Sequence, residues 1–151
     1  MKFIKHTKTF DLPVPIEKLF PLFSPEGEKL WVPGWDYRNI MGTLELEEDY
    51  VFLTENHDHG STEAIWLVKK FDQAASTVEF YKIEPGDKVG VIKVQCRRLV
   101  ADRTEVEVAY KYTALSKTGE AFIAGFSAEA YEAFIGEWRM LLSTHFKLEE
   151  K

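Results

Sequence analysis

From Ser127 onward the apolar residues Tyr131, Phe134, Ile135, Trp138, Leu141 and Leu142, with His145 or Phe146 next in line, recur at i, i+3, i+4 and i+7. This is the spacing of one face of an α-helix. Glu132, Glu137, Arg139 and Lys147 fall elsewhere on the turn. Ser127 offers an N-cap oxygen, and Glu129 places a carboxylate in the first turn, where the helix dipole favours it. A helix of about twenty residues is about 30 Å long. With a single apolar stripe, it must lie along an apolar surface of similar length.

The preceding chain supplies that surface. Segments 37–41, 49–56, 62–71, 76–84, 88–100 and 103–115 are rich in Val, Ile, Thr, Tyr and Phe and are separated by short polar or turn-forming stretches, the pattern of an antiparallel meander. The clearest alternation sets Val106, Val108, Tyr110 and Tyr112 against Glu105, Glu107, Lys111 and Thr113, a strand with one dry and one wet face. Phe3 to Leu12 reads as a further strand, which Pro13 and Pro15 stop. Ile16, Leu19, Phe20, Leu22 and Phe23 then recur at helical spacing. Ser24-Pro25-Glu26 combines an N-cap, a first-turn proline and a first-turn carboxylate, opening a second short helix through about Leu30. A preliminary turn over Glu120 to Ala124 precedes the long helix, with Gly125 between them.

The expected fold is therefore α+β, one domain over residues 1–151. A seven-stranded antiparallel sheet curves around a long C-terminal helix, and two short helices after the first strand bridge to the far edge. Space left between sheet and helix forms an apolar cavity whose mouth lies near those bridging helices.

This order of elements, with LFSPEGEKLWVPGW after the first short helix, TEAIWLVKKFD in mid-chain and TEVEVAYKYTALSKTGEAF before the final helix, resembles the SRPBCC superfamily. That is the helix-grip fold of START domains, polyketide cyclases and birch-pollen allergens. The SPEGE and WVPGW strings resemble a bacterial subgroup of it. The resemblance implies a cavity for a small hydrophobic or amphipathic ligand without implying one activity, because the fold hosts carriers, cyclases, hydrolases and chaperone activators.

Composition narrows the partners. The 151 residues are 45% hydrophobic and 29% charged, an ordinary globular balance, and include 11 Phe, 6 Tyr and 4 Trp. A net charge of −6 repels phosphate backbones and anionic surfaces, so no nucleic acid is expected. Lys2, Lys5, Lys8 and His6 read as a solvated strand face. Runs such as Ala64 to Val68 are too short to span a bilayer, the first twenty residues carry no signal-peptide pattern, and no stable membrane insertion is expected. Cys96 is the only cysteine, which suits a reducing, cytoplasmic location. The chain is expected to be a monomer or homodimer and to need no cofactor.

Candidate chemistry is sparse. His57-Asp58-His59, beside Gly60, is the sharpest polar cluster, but a metal needs a third ligand that the neighbouring sequence does not supply. An ordinary hairpin is the favoured reading, and no metal is expected. Trp31 and Trp35 flank Pro33-Gly34 at the expected cavity mouth, as pocket wall or core plug. Trp138 lies on the apolar stripe, and Trp66 sits in a run apolar on both parities, so its face is open. Tyr110 and Tyr112 carry hydroxyls on a dry face, to orient a ligand or to bond backbone. Arg97 and Arg98 point to opposite faces of one strand. Cys96 sits mid-strand with no cue for a thiolate, and no Gly-x-Ser-x-Gly elbow occurs. Glu26 and Glu28, at the start of a helix, are explained by its dipole.

The leading expectation is a cavity lined by Trp31, Trp35, Trp66, Tyr110, Tyr112, Phe134 and Trp138 that holds a small hydrophobic molecule. A cyclase, dehydratase or hydrolase using Tyr110, Tyr112, His57 or His59 as acid/base groups is the enzymatic alternative. An interaction module resembling chaperone activators is the third, and it predicts a filled groove with an exposed apolar patch.

Overall fold

Alternation along the strands becomes an inner and an outer face. The computed structural model describes residues 2–55 and 63–148. Strands β1 (Phe3–Leu12), β2 (Val51–Glu55), β3 (Glu63–Asp72), β4 (Thr77–Glu84), β5 (Lys88–Val100) and β6 (Arg103–Ala114) form one antiparallel sheet in the order β1-β6-β5-β4-β3-β2. Val106, Val108, Tyr110 and Tyr112 of β6 are buried on the inner face as their alternation requires. Trp66 also points inward, level with Phe52 of β2 and Lys82 of β4. Its neighbours Ile65 and Leu67 take the outer face, half-covered by the rows Leu53–Ile83 and Val51–Tyr81.

Among the described residues six strands form, against the seven expected. The segment 37–41 contributes one isolated bridge, Arg38 to Leu53. Past that bridge its side chains take over the pairing: Met41 Sδ accepts the Val51 N–H at 3.1 Å, and Asn39 Oδ1 accepts the Tyr50 hydroxyl at 2.7 Å. Gly42 then turns the chain at φ 76°. A ladder needs the backbone groups that these contacts divert.

Helices α1 (Ile16–Leu19) and α2 (Pro25–Glu28), joined by a 3₁₀ turn at Phe20–Leu22, leave β1 and cover one end of the groove. Helix α2 stops two residues short of Leu30. Helix α3 (Lys117–Gly125) is longer than the expected turn because Ser116 caps it, its Oγ accepting the Gly119 N–H at 3.3 Å. Helix α4 (Ala128–His145) starts where Ser127 Oγ accepts the Ala130 N–H at 3.1 Å. It buries Tyr131, Ile135 and Leu142 against the sheet. Tyr131 is pinned there by its hydroxyl, which donates to the Val108 carbonyl at 2.5 Å, and by His6 stacked on its ring at 5.2 Å.

At the far end, Lys88, Glu84 and Asp87 form a buried ion cluster, with Lys88 Nζ 3.2 Å from Glu84 and 3.5 Å from Asp87. The ammonium also lies 4.0 Å from the centre of the Phe122 ring, tying the β4–β5 turn to α3.

Candidate functional site

The groove between sheet and α4 is bordered by α2. Ser24 begins that helix, its Oγ accepting the Gly27 N–H at 2.9 Å. Gly27 lets the turn press against the backbone of Pro21 and Leu22, and the next residue, Glu28, is carried into the groove. There it borders a cavity of about 20 Å³. The rings of Phe23, Phe52, Trp66, Phe80 and Trp138 make most of the wall, Ile92 and Val94 make the floor, and Tyr110 closes the side opposite Glu28's helix. About one water or one small polar group fits in that volume.

The rings hold one another. Trp31 lies 5.6 Å edge-on to Trp138 and 5.9 Å from Phe23, while Phe134 packs 5.8 Å from Trp138 and 5.5 Å from Tyr110. Trp66 stacks on Phe52 at 5.5 Å. Three indole N–H groups are already used: Trp31 donates to the Leu22 carbonyl, Trp35 to the Pro25 carbonyl and Trp66 to Thr54 Oγ1, each at 2.9 Å.

Two polar groups on this apolar lining stand apart. Among the described residues no hydrogen bond reaches the Glu28 carboxyl or the Tyr110 hydroxyl. Glu28 is half-buried and borders the ring-lined cavity. Burial pushes its pKa up to about 8, and the attraction of Lys82 offsets this only in part. The Lys82 ammonium lies 5.4 Å over the Trp66 ring, beside the cavity rather than on its wall. Burial also raises Tyr110 well above an ordinary phenol, with Tyr112, Glu28 and Tyr131 adding to the effect. Glu26, by contrast, turns away to Tyr37 and Lys29, whose hydrogen bonds hold its carboxyl low. Cys96 is buried and pushed up to about 12, an inert thiol.

Among solved structures, a major latex-like protein from Panax ginseng superposes with a TM-score of 0.70 over 95% of this chain and 97% of its own, at 14% identity. The chain has the helix-grip fold. Norcoclaurine synthase from Thalictrum flavum, solved with dopamine and hydroxybenzaldehyde, shares the helix-grip architecture with a TM-score of 0.61 at 10% identity, covering 99% of this chain and 90% of that one. A Streptomyces aromatase/cyclase matches with 0.59 at 13% identity, over 75% and 69%. Neither a protein-family model nor a curated protein matches the sequence.

The helix-grip groove brings together some of the expected lining and separates the rest. Trp66, Tyr110 and Trp138 border the cavity. Trp31 and Phe134 stand behind Trp138, and Trp35 packs on Trp66 at 6.1 Å. Tyr112 lies deeper, its ring crossing Gly90 and packing 5.2 Å from Phe122. His57 and His59 lie outside the described residues. Glu28 is the group that sequence reasoning set aside: the dipole accounted for a carboxylate at a helix start, and nothing local showed that the helix aims it into a ring-lined groove. Arg97 and Arg98 pair at the surface with Glu105 and Glu17. Among the described residues no helix is long and apolar enough to cross a membrane.

Proposed function

We propose that this protein binds a small amphipathic molecule at the α2 end of the groove, with its polar group between Glu28 and Tyr110. Its apolar part lies against Trp138, Phe134 and Phe23. The observation that carries this reading is the pair of unpartnered polar groups on an otherwise apolar wall. A carboxyl and a phenol with no hydrogen-bond partner among the described residues, on one otherwise apolar wall, offer a ligand two polar contacts that the fold leaves open. Structures of the same fold solved as an aromatase/cyclase, and as a synthase holding dopamine and hydroxybenzaldehyde, lend support from proteins that handle small ring compounds.

The groove is packed rather than hollow. Ligand pockets commonly enclose about 300–1,000 Å³, so only a polar head fits the cavity of about 20 Å³, and the rest of the molecule must turn the rings at the mouth. Long fatty acids and fused polyketides are therefore poorer candidates than single-ring or two-ring compounds. Tryptophan fluorescence against a series of one- and two-ring alcohols, amines and acids tests the reading. Saturable quenching that is weakened in Trp138→Ala or Glu28→Gln supports it, and a flat response across the series rejects it.

A second reading has its own observation. The long connection between α2 and β2 exposes Leu30, Ile40, Met41 and Leu44, and a filled groove beside exposed apolar residues is what an interaction module shows. Replacing Ile40 and Leu44 together with serine leaves the fold intact. It abolishes partner binding if this surface is the functional one and leaves ligand quenching unchanged.

A further inference from the structure

We infer that the molecule received between Glu28 and Tyr110 carries a basic nitrogen, so that the cavity is an ammonium site formed by one carboxyl group, one phenol and the faces of aromatic rings. This rests on the ligand-binding reading above and specifies the ligand class. The indole N–H groups of Trp31, Trp35 and Trp66 are spent on protein oxygens and are closed to a ligand. What remains for a ligand is the Glu28 carboxyl, the Tyr110 phenol and ring faces, whose quadrupoles attract cations. An anionic head would meet negative ring faces and oppose ionisation of the Glu28 carboxyl. A primary ammonium donates to the ionised Glu28 carboxylate and to the phenol oxygen of Tyr110. The volume of about 20 Å³ holds such a head without the rest of the molecule.

Binding is coupled to a proton. With its pKa near 8, the Glu28 carboxyl of the free protein is mostly protonated at pH 7. An arriving ammonium favours the carboxylate, so the proton leaves Glu28 for the solvent as the ion pair forms, and the ligand keeps its own. The groups facing Glu28 are Lys82 from β4 and Tyr110 from β6, while Phe52 of β2 and Trp138 of α4 present uncharged rings. Glu26 and Lys29, its sequence neighbours, are paired with each other. Affinity for an amine therefore rises with pH from 7 to 8.5, by about eightfold from the change in ionised fraction alone.

The test is calorimetry of the full chain with 2-(naphthalen-1-yl)ethylamine and the matched alcohol 2-(naphthalen-1-yl)ethanol. It is run at pH 7 and 8.5 in phosphate and in Tris, whose ionisation enthalpies differ. The expected result is tighter binding of the amine, an affinity increase of about eightfold at the higher pH, and a buffer-dependent heat reporting close to one proton released per amine at pH 7. Glu28→Gln removes the proton release and the pH dependence. The buffer dependence is read on the unaltered protein, so the test does not rest on a variant's folding. Equal binding of amine and alcohol with no proton release overturns the ammonium assignment and leaves the ligand-binding reading standing. Amine affinity that falls as pH rises overturns it equally. No binding of either compound overturns both.

Discussion

A Cβ placed on Gly27 would sit 2.4 Å from the carbonyl oxygen of Pro21, so the two short helical turns meet backbone to backbone. No flexible side chain can yield there. Gly27→Ala must lift α2 from the 3₁₀ turn, at a cost of about 1–3 kcal/mol as an overpacked contact. It also moves the residue that follows. The expected outcome is a lower melting temperature together with a Glu28 carboxyl that titrates closer to an ordinary glutamate, measured by side-chain NMR of the variant against the parent.

Glu28→Gln is expected to stabilise the protein, and to do so in a pH-dependent way. The folded pKa, about 8, lies above the ordinary value of 4.5. Below pH 4.5 both states carry the proton, and the acid costs nothing in charge burial. Between pH 4.5 and 8 the unfolded chain ionises while the folded protein resists, so stability falls as pH rises, and above 8 the loss is complete. The glutamine is immune to this. Its advantage over the parent should be small at pH 4, grow through neutrality and level off near pH 8–9, at a level on the order of 1–3 kcal/mol after solvent screening. Melting curves across that range give the answer, and a pH-independent difference would contradict the buried acid.

Trp138 closes the cavity from the helix side and touches Trp31, Phe23, Tyr110 and Phe134. Trp138→Ala removes a half-buried ring and should cost about 3 kcal/mol, the lower end for such truncations. The space it opens joins the existing cavity. Larger two-ring compounds excluded from the parent should then bind, provided their polar group still meets Glu28, and a crystal soak reads this directly.

Lys88 is 2% exposed between Glu84 and Asp87. Lys88→Ala leaves two carboxylates facing each other away from water, for which about 3–5 kcal/mol is the expected loss. Lys88→Met with Glu84→Gln, which removes charge on both sides, should recover much of it. Urea denaturation of the single and double variants separates the ion pair from the ring packing on Phe122.

How far the sequence carried this reading depends on whether a signal was local. The stripe from Tyr131 to Leu142 and the β6 alternation each lie within one element, and both determined its face correctly. Ser24 and Ser127 announced the helices they cap, and Ser116 held the same signal for α3. The segment 37–41 had strand-like residues, but whether Met41 and Asn39 would divert the edge of β2 depended on where Tyr50 and Val51 came to lie. Trp66 had no readable face, because Ile65 and Leu67 are as apolar as its inward neighbours and only pairing with β2 and β4 decides the parity. The cavity is the extreme case. Its wall draws on the turn before α2 and on α2, β2, β3, β4, β5, β6 and α4, and no window of sequence contains that set.

The indole hydrogen bonds of Trp31, Trp35 and Trp66 make the two sides of the mouth unequal. On one side each ring is anchored to an oxygen of the protein. On the other, Phe134 has no polar atom to anchor it and is the most exposed of the rings, at 37%. Entry of the proposed ligand would then need only side-chain rotation on α4, which is fast and leaves the backbone where it was. In the proposed function the anchored wall would be the template, and the helix side would set only how readily a molecule that fits is admitted.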